Sequence, residues 1–113
     1  QWDMMRALPG GVEALREVVA EFHANGVKVL WPYKPWDQGT IRPPGGQTDE
    51  EAEAAILEDT GADGINGDTM DYIPKSFYDA GVAVGIPPAL EPEGSGTGDL
   101  SSQAWSTMGW GCQ

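Results

Sequence analysis

The sequence predicts an α/β fold of repeated βα units with parallel strands. Two observations carry that prediction. First, three junctions share one form: Ala24-Asn25-Gly26-Val27, Asp59-Thr60-Gly61-Ala62 and Asp79-Ala80-Gly81-Val82 each run from helical residues through a glycine into an apolar stretch. Glycine supplies the left-handed conformation that ends a helix, so each junction reads as helix, stop, strand. Second, the hydrophobic period changes at each junction from that of a helix to that of a strand. A helix between successive strands forces a crossover, and crossovers make the strands parallel.

Gln1-Trp2-Asp3-Met4-Met5 opens as though just beyond a strand. Pro9-Gly10-Gly11 leads into a helix over 12–25 with Val12, Leu15, Val18, Val19 and Phe22 on its apolar face, opposite Glu13, Arg16, Glu17 and Glu21. Gly26 ends it, and Val27 to Trp31 forms the first strand, closed by Pro32. Residues 33–47, rich in Pro, Gly, Trp and charge, make a long loop of the kind that usually carries function. Thr48-Asp49-Glu50-Glu51 is a capping box. It opens a helix that turns Ala52, Ala55, Ile56 and Leu57 inward and stops at Gly61.

The second strand runs from Gly64 to Asp68. Pro74 starts a short helix through Phe77 and Tyr78, stopped by Gly81, and Val82 to Ile86 forms the third strand, ended by Pro87-Pro88. Residues 94–98 read as a flexible linker, Asp99 as the cap of a short helix reaching Trp105, and 106–111 as the start of a further strand. The 113 residues form one domain at most. A closed barrel of βα units needs eight strands and about 250 residues. Three or four strands therefore predict roughly half of such a barrel, completed by the rest of a larger chain or by association with another copy. An open, doubly wound sheet is the alternative.

Composition narrows the partners. Hydrophobic residues make up 40% of the chain and five are Trp, which places it among globular proteins. The net charge of −12, from 18 acidic and 6 basic residues, argues against nucleic acid or an anionic membrane and leaves neutral or cationic ligands open. Cys112 is alone, so neither an intrachain disulfide nor a cysteine-based metal site is expected. No apolar run is long enough to span a membrane, no motif requires a cofactor, and the compartment does not follow from these features.

Parallel strands bring their C-terminal ends to one rim. Tyr33, Lys34, Trp36 and Asp37 follow the first strand, Asp68 and Asp71 the second, Glu91 and Glu93 the third. Strands lie close to 4.8 Å apart. Asp68 and Glu91 therefore fall within reach of the roughly 5 to 9.5 Å that separates the paired carboxylates of glycosidases. In such a pair one carboxylate stays ionised and the other holds a proton for the leaving oxygen. Trp36, in a polar loop, suits stacking on a sugar ring, with Tyr33, Lys34, Asp37 and Asp71 as further substrate contacts; Trp31, inside the strand, suits the core. The plainer reading of the acids is a solvated rim or helix caps. They are also hard oxygen ligands for Mg²⁺ or Ca²⁺, although no loop motif accompanies them and no metal is expected. His23 fits the C-terminal dipole of its helix, and Ser76 lacks the surroundings of a nucleophile.

Phe22-His23-Ala24-Asn25-Gly26-Val27-Lys28-Val29-Leu30 and Gly61-Ala62-Asp63-Gly64-Ile65-Asn66-Gly67-Asp68 resemble the helix-to-strand segments of (β/α)8-barrel glycoside hydrolases, the α-amylase-like ones included. In those enzymes a strand of the form Gly-x-Asp-Gly-Phe-Arg-x-Asp ends in the nucleophile. The resemblance implies Asp68 as nucleophile and Glu91 as acid/base, with Glu93 as its rival. Pro32-Tyr33-Lys34-Pro35-Trp36-Asp37 and Ala89-Leu90-Glu91-Pro92-Glu93 are more similar to an uncharacterised bacterial glycosidase-like barrel family. Asn66 stands where the α-amylase pattern has Arg, and the Asn-His pair at the first strand end is missing, which speaks against a starch-type activity. The expected function is thus a carbohydrate-active hydrolase. A metal-dependent lyase or phosphohydrolase and a sugar-binding, self-associating half barrel are the alternatives.

Overall fold

The computed structural model describes residues 2–37, 46–94 and 104–108. Its elements are α1 (Trp2–Arg6), α2 (Gly11–Ala24), β1 (Leu30–Tyr33), α3 (Asp49–Thr60), β2 (Gly64–Gly67), α4 (Lys75–Ala83) and β3 (Ala89–Pro92). The strands form one parallel sheet in the order β1-β2-β3, each linked to the next through a helix. The class is α/β, as expected from the glycine junctions.

Register and pleat decide where the core lies. Trp31, Ile65 and Leu90 are aligned across the sheet, as are Tyr33, Gly67 and Pro92. Alternation of side chains along each strand puts both rows on one face. On that face Tyr33, Ile65 and Leu90 are buried with Ile56 of α3, Phe77 of α4, Trp2 of α1 and Ile73. Trp2 stacks on Tyr33 with ring centroids 5.4 Å apart, and Phe77 tilts against the same ring at 5.1 Å. A second cluster joins Val19 of α2 to Leu57 and Ala62. Burying one large aliphatic side chain contributes about 1.5–3 kcal/mol, so this layer is the main source of stability.

The capping box at α3 forms as predicted. The Thr48 hydroxyl accepts from the Glu51 amide at 3.2 Å, and the Glu51 carboxylate accepts from the Thr48 amide at 3.0 Å. Gly61 ends α3 at φ 76°. The third junction is different. α4 runs through Gly81, and the left-handed residue is Gly85, at φ 82°. Gly81 is instead a packing glycine, because a Cβ there would lie 2.5 Å from the Ile86 carbonyl oxygen and 2.6 Å from Pro88. Residues 82–86 therefore do not form the third strand, which lies at Ala89–Pro92 beyond the two prolines.

The first strand is also displaced, to Leu30–Tyr33, and it includes Pro32 rather than ending before it. Among the described residues β1 is an edge strand. Its odd-numbered residues face β2, as the bond from the Asp68 amide to the Tyr33 carbonyl (2.8 Å) requires, so the missing N–H of Pro32 falls on the outer edge. Pro92 holds the matching outward position on β3, where Leu90 is bonded to Thr107 through its carbonyl (2.9 Å) and its amide (3.2 Å). Residues 106–108 thus lie along β3 without being a strand.

Three further expectations change. The opening residues form α1, with Trp2 buried. Val18 and Phe22 of α2 are exposed, because α3 covers only the side of α2 that carries Val19. On α3 the buried positions include Glu53 and Thr60, with Ala52 and Ala55 only part-buried. Gly94 is fixed, donating its amide to the Met70 carbonyl at 2.8 Å; the rest of the linker, the Asp99 cap and Cys112 lie outside the described residues.

Candidate functional site

The face of the sheet away from the core cluster carries the other set of alternating residues. Leu30, Gly64 and Ala89 form one row, then Pro32, Asn66 and Glu91. One residue beyond the strands, the same alternation continues with Lys34, Asp68 and Glu93. The polar residues therefore gather at the C-terminal end of the sheet, with Asn66, Asp68, Glu91 and Glu93 part-exposed and Lys34 exposed.

Asp68 leaves β2 where its amide still bonds to β1, and among the described residues its carboxylate accepts no hydrogen bond. Glu91 lies inside β3, beside Asn66, rather than beyond the strand. Strand spacing and rise place its Cα about 8 Å from that of Asp68. Glu93 is bound differently: its carboxylate accepts from the Thr69 amide, holding Thr69 at φ 63°, a left-handed conformation that a β-branched residue adopts only when its surroundings impose it. Glu93 thus braces the β2–α4 loop. Asp71 is exposed on that loop and backs onto Gly94, where a Cβ would meet the Asp71 Cα at 2.4 Å.

The aromatic residues divide. Tyr33 is the last residue of β1, with its ring in the core and its hydroxyl donating to Asp49 at 2.8 Å. Its contribution to the rim is structural. Trp36 is 57% exposed, with the Lys34 ammonium 5.4 Å from its ring centroid. Asp37 is part-exposed and closes the turn by donating its amide to the Lys34 carbonyl at 3.1 Å. Trp31 packs against both core clusters, and its indole donates to the Thr60 hydroxyl at 2.9 Å.

Sequence reasoning passed over Asn66 and Tyr72. Asn66 shares the open face with Glu91, which its alternation with Gly64 already signalled; Tyr72 is an exposed aromatic on the β2–α4 loop and carries no sequence signal beyond its type. At the opposite end of β2, Asp63 accepts from the Val29 amide (2.8 Å) and pairs with His23 (2.7 Å) and Lys28 (3.4 Å). Burial opposes its ionisation, but the Val29 amide, His23 and Lys28 outweigh burial and hold its pKa below the ordinary carboxylate value. His23 therefore serves the fold as a partner of Asp63.

Among the described residues no three of His, Cys, Asp and Glu converge closely enough to hold a metal ion. No helix among them is long and apolar enough to cross a membrane. No family model, curated protein or solved structure matches this chain.

Proposed function

We propose that the chain is a segment of a (β/α)8-type barrel from a carbohydrate-active hydrolase, with Asp68 as nucleophile and Glu91 as acid/base. The observation that carries this reading is that Asp68, one residue beyond β2, and Glu91, beside Asn66 within β3, share the face of the sheet away from the core cluster. Among the described residues the parallel strands run in sequential order with the core clusters on one face, the arrangement that a barrel segment requires and that one half of a doubly wound sheet shares. The bonds from Thr107 to Leu90 suit a fourth strand position.

In this mechanism the Asp68 carboxylate attacks the anomeric carbon while Glu91 protonates the departing oxygen, then deprotonates the water that releases the sugar. Asn66, between them, bonds a ring hydroxyl, and Trp36 offers a face to the pyranose, with Lys34, Asp37 and Asp71 at the margin. Glu93 holds the loop that carries Asp71 and leaves the acid/base role to Glu91. Among the described residues no three of these acids come close enough together to favour the metal-dependent alternative.

The test is a screen of aryl glycosides and oligosaccharides for turnover and binding, with light scattering to give the mass of the active species. Asp68→Asn and Glu91→Gln are each expected to lower turnover about a hundredfold or more, with binding retained. Turnover that survives both substitutions overturns the assignment. Binding without turnover replaces it with a sugar-binding module, and the absence of both removes carbohydrate altogether.

A further inference from the structure

The flank where α2 meets β1 is unfinished in a specific way. Ala14, Val18 and Phe22 recur every four residues along α2 and make one stripe. Val18 and Phe22 are each 47% exposed, and Val27, just ahead of β1, is 44% exposed. Next to Val18, Val19 is buried against Leu57 and Ala62, so apolar surface runs from the interior onto the flank. Val18, Phe22 and Val27, with Glu21 and Asn25, line an open groove of about 360 Å³.

Charge supplies the second observation. Glu13, Glu17 and Glu21 repeat at the same spacing beside the apolar stripe, an arrangement that costs an isolated helix stability. Arg16 pairs with Glu13 at 3.0 Å. Among the described residues Glu17 and Glu21 have no ion-pair partner, and Lys28, beside Val27, is engaged by Asp63. An apolar stripe bordered by uncompensated acid is complementary to a helix with the opposite border.

We propose that the α2–β1 flank is a docking groove for a basic amphipathic helix of another polypeptide. Apolar residues of that helix seat on Val18, Phe22 and Val27, and its Lys or Arg residues face Glu17 and Glu21. The stripe from Ala14 to Phe22 is about 12 Å long, which matches about two turns of partner helix. A second copy fits less well, because it brings Glu17 and Glu21 of both chains together on a protein of net charge −12.

A panel of designed amphipathic peptides of about 18 residues tests this. Each peptide has a Leu, Ile or Phe stripe bordered by Lys, Arg or Glu, and is titrated into the whole chain while amide chemical shifts are followed. Basic members are expected to bind with shifts confined to residues 14–27, about tenfold more weakly at high salt, whereas acidic members do not bind. Phe22→Gln, at an exposed position that leaves the fold intact by circular dichroism, is expected to abolish binding, and Glu17→Gln with Glu21→Gln to weaken it several-fold. Failure of every basic member overturns the proposal. So do binding indifferent to Phe22→Gln, and a doubled mass by light scattering that Phe22→Gln reverses.

Discussion

The two ends of β2 use aspartate in opposite ways. Asp63, at the N-terminal end, is saturated: its carboxylate takes the Val29 amide, His23 and Lys28, its own amide bonds the Val29 carbonyl (2.8 Å), and its carbonyl accepts from the Ala89 amide (2.7 Å). One residue therefore ties together the entries of all three strands. Asp68, at the other end, has a part-exposed carboxylate with no hydrogen-bond partner among the described residues. An acid whose bonding capacity is spent inside the protein holds structure, while one whose capacity is unspent at a strand end is available to a ligand. The same division separates Glu93, engaged by Thr69, from Glu91.

The comparison breaks first at the residue that joins the two ends. Ile65 is fully buried between them, and Ile65→Ala is expected to cost about 4 kcal/mol in urea unfolding. Asn66→Ala, one residue on and facing the open side, is expected to stay within about 0.5 kcal/mol. Equal losses would mean that the open face is covered in solution.

Glu53 sharpens the contrast from inside the core. It is fully buried on α3, neither carboxylate oxygen is hydrogen-bonded among the described residues, and burial, then repulsion from Glu50, push its pKa up to about 8. The folded state keeps this proton where the unfolded chain, titrating near 4.5, has released it. The stability that protonation supplies is complete below about pH 4.5 and falls away as pH rises to 8, a loss of order 3 kcal/mol. Glu53→Gln is expected to flatten this slope in urea midpoints measured from pH 5 to 8; an unchanged slope would assign it to another group.

Asp63 acts with the opposite sign. Its lowered pKa adds stability above the ordinary carboxylate range, lost as pH falls below about 4 through the folded value. Asp63→Asn is expected to cost about 2 kcal/mol at pH 7 and to remove part of the acid sensitivity. Asp68→Asn, smallest of all, is expected to leave the thermal midpoint unchanged while abolishing the proposed turnover. A comparable loss from Asp68→Asn would show it to be a structural acid like Asp63.

Local chemistry was legible wherever one residue type dictates a conformation. Thr48 and Glu51 can satisfy each other's backbone donors in a single turn, and Gly61 ends α3, so these features could be read directly. The identical glycine signal at Gly81 misled, because glycine also serves where two segments pack too closely for a Cβ, and only the approach of Ile86 and Pro88 distinguishes the two uses. Pro32 misled for a related reason: whether a proline ends a strand depends on whether its missing donor faces a neighbour, which is a matter of sheet order.

The sequence by itself determined the βα alternation and the parallel sheet, because helix stops, caps and hydrophobic period are properties of neighbouring residues. Tertiary structure alone decided that Tyr33 belongs to the core and Trp36 to the surface, that Glu93 braces a loop while Glu91 shares the open face with Asn66, and that Glu53 is buried. Each of those outcomes depends on strand register and on which elements lie against a given face, and contacts between residues far apart in the chain fix both.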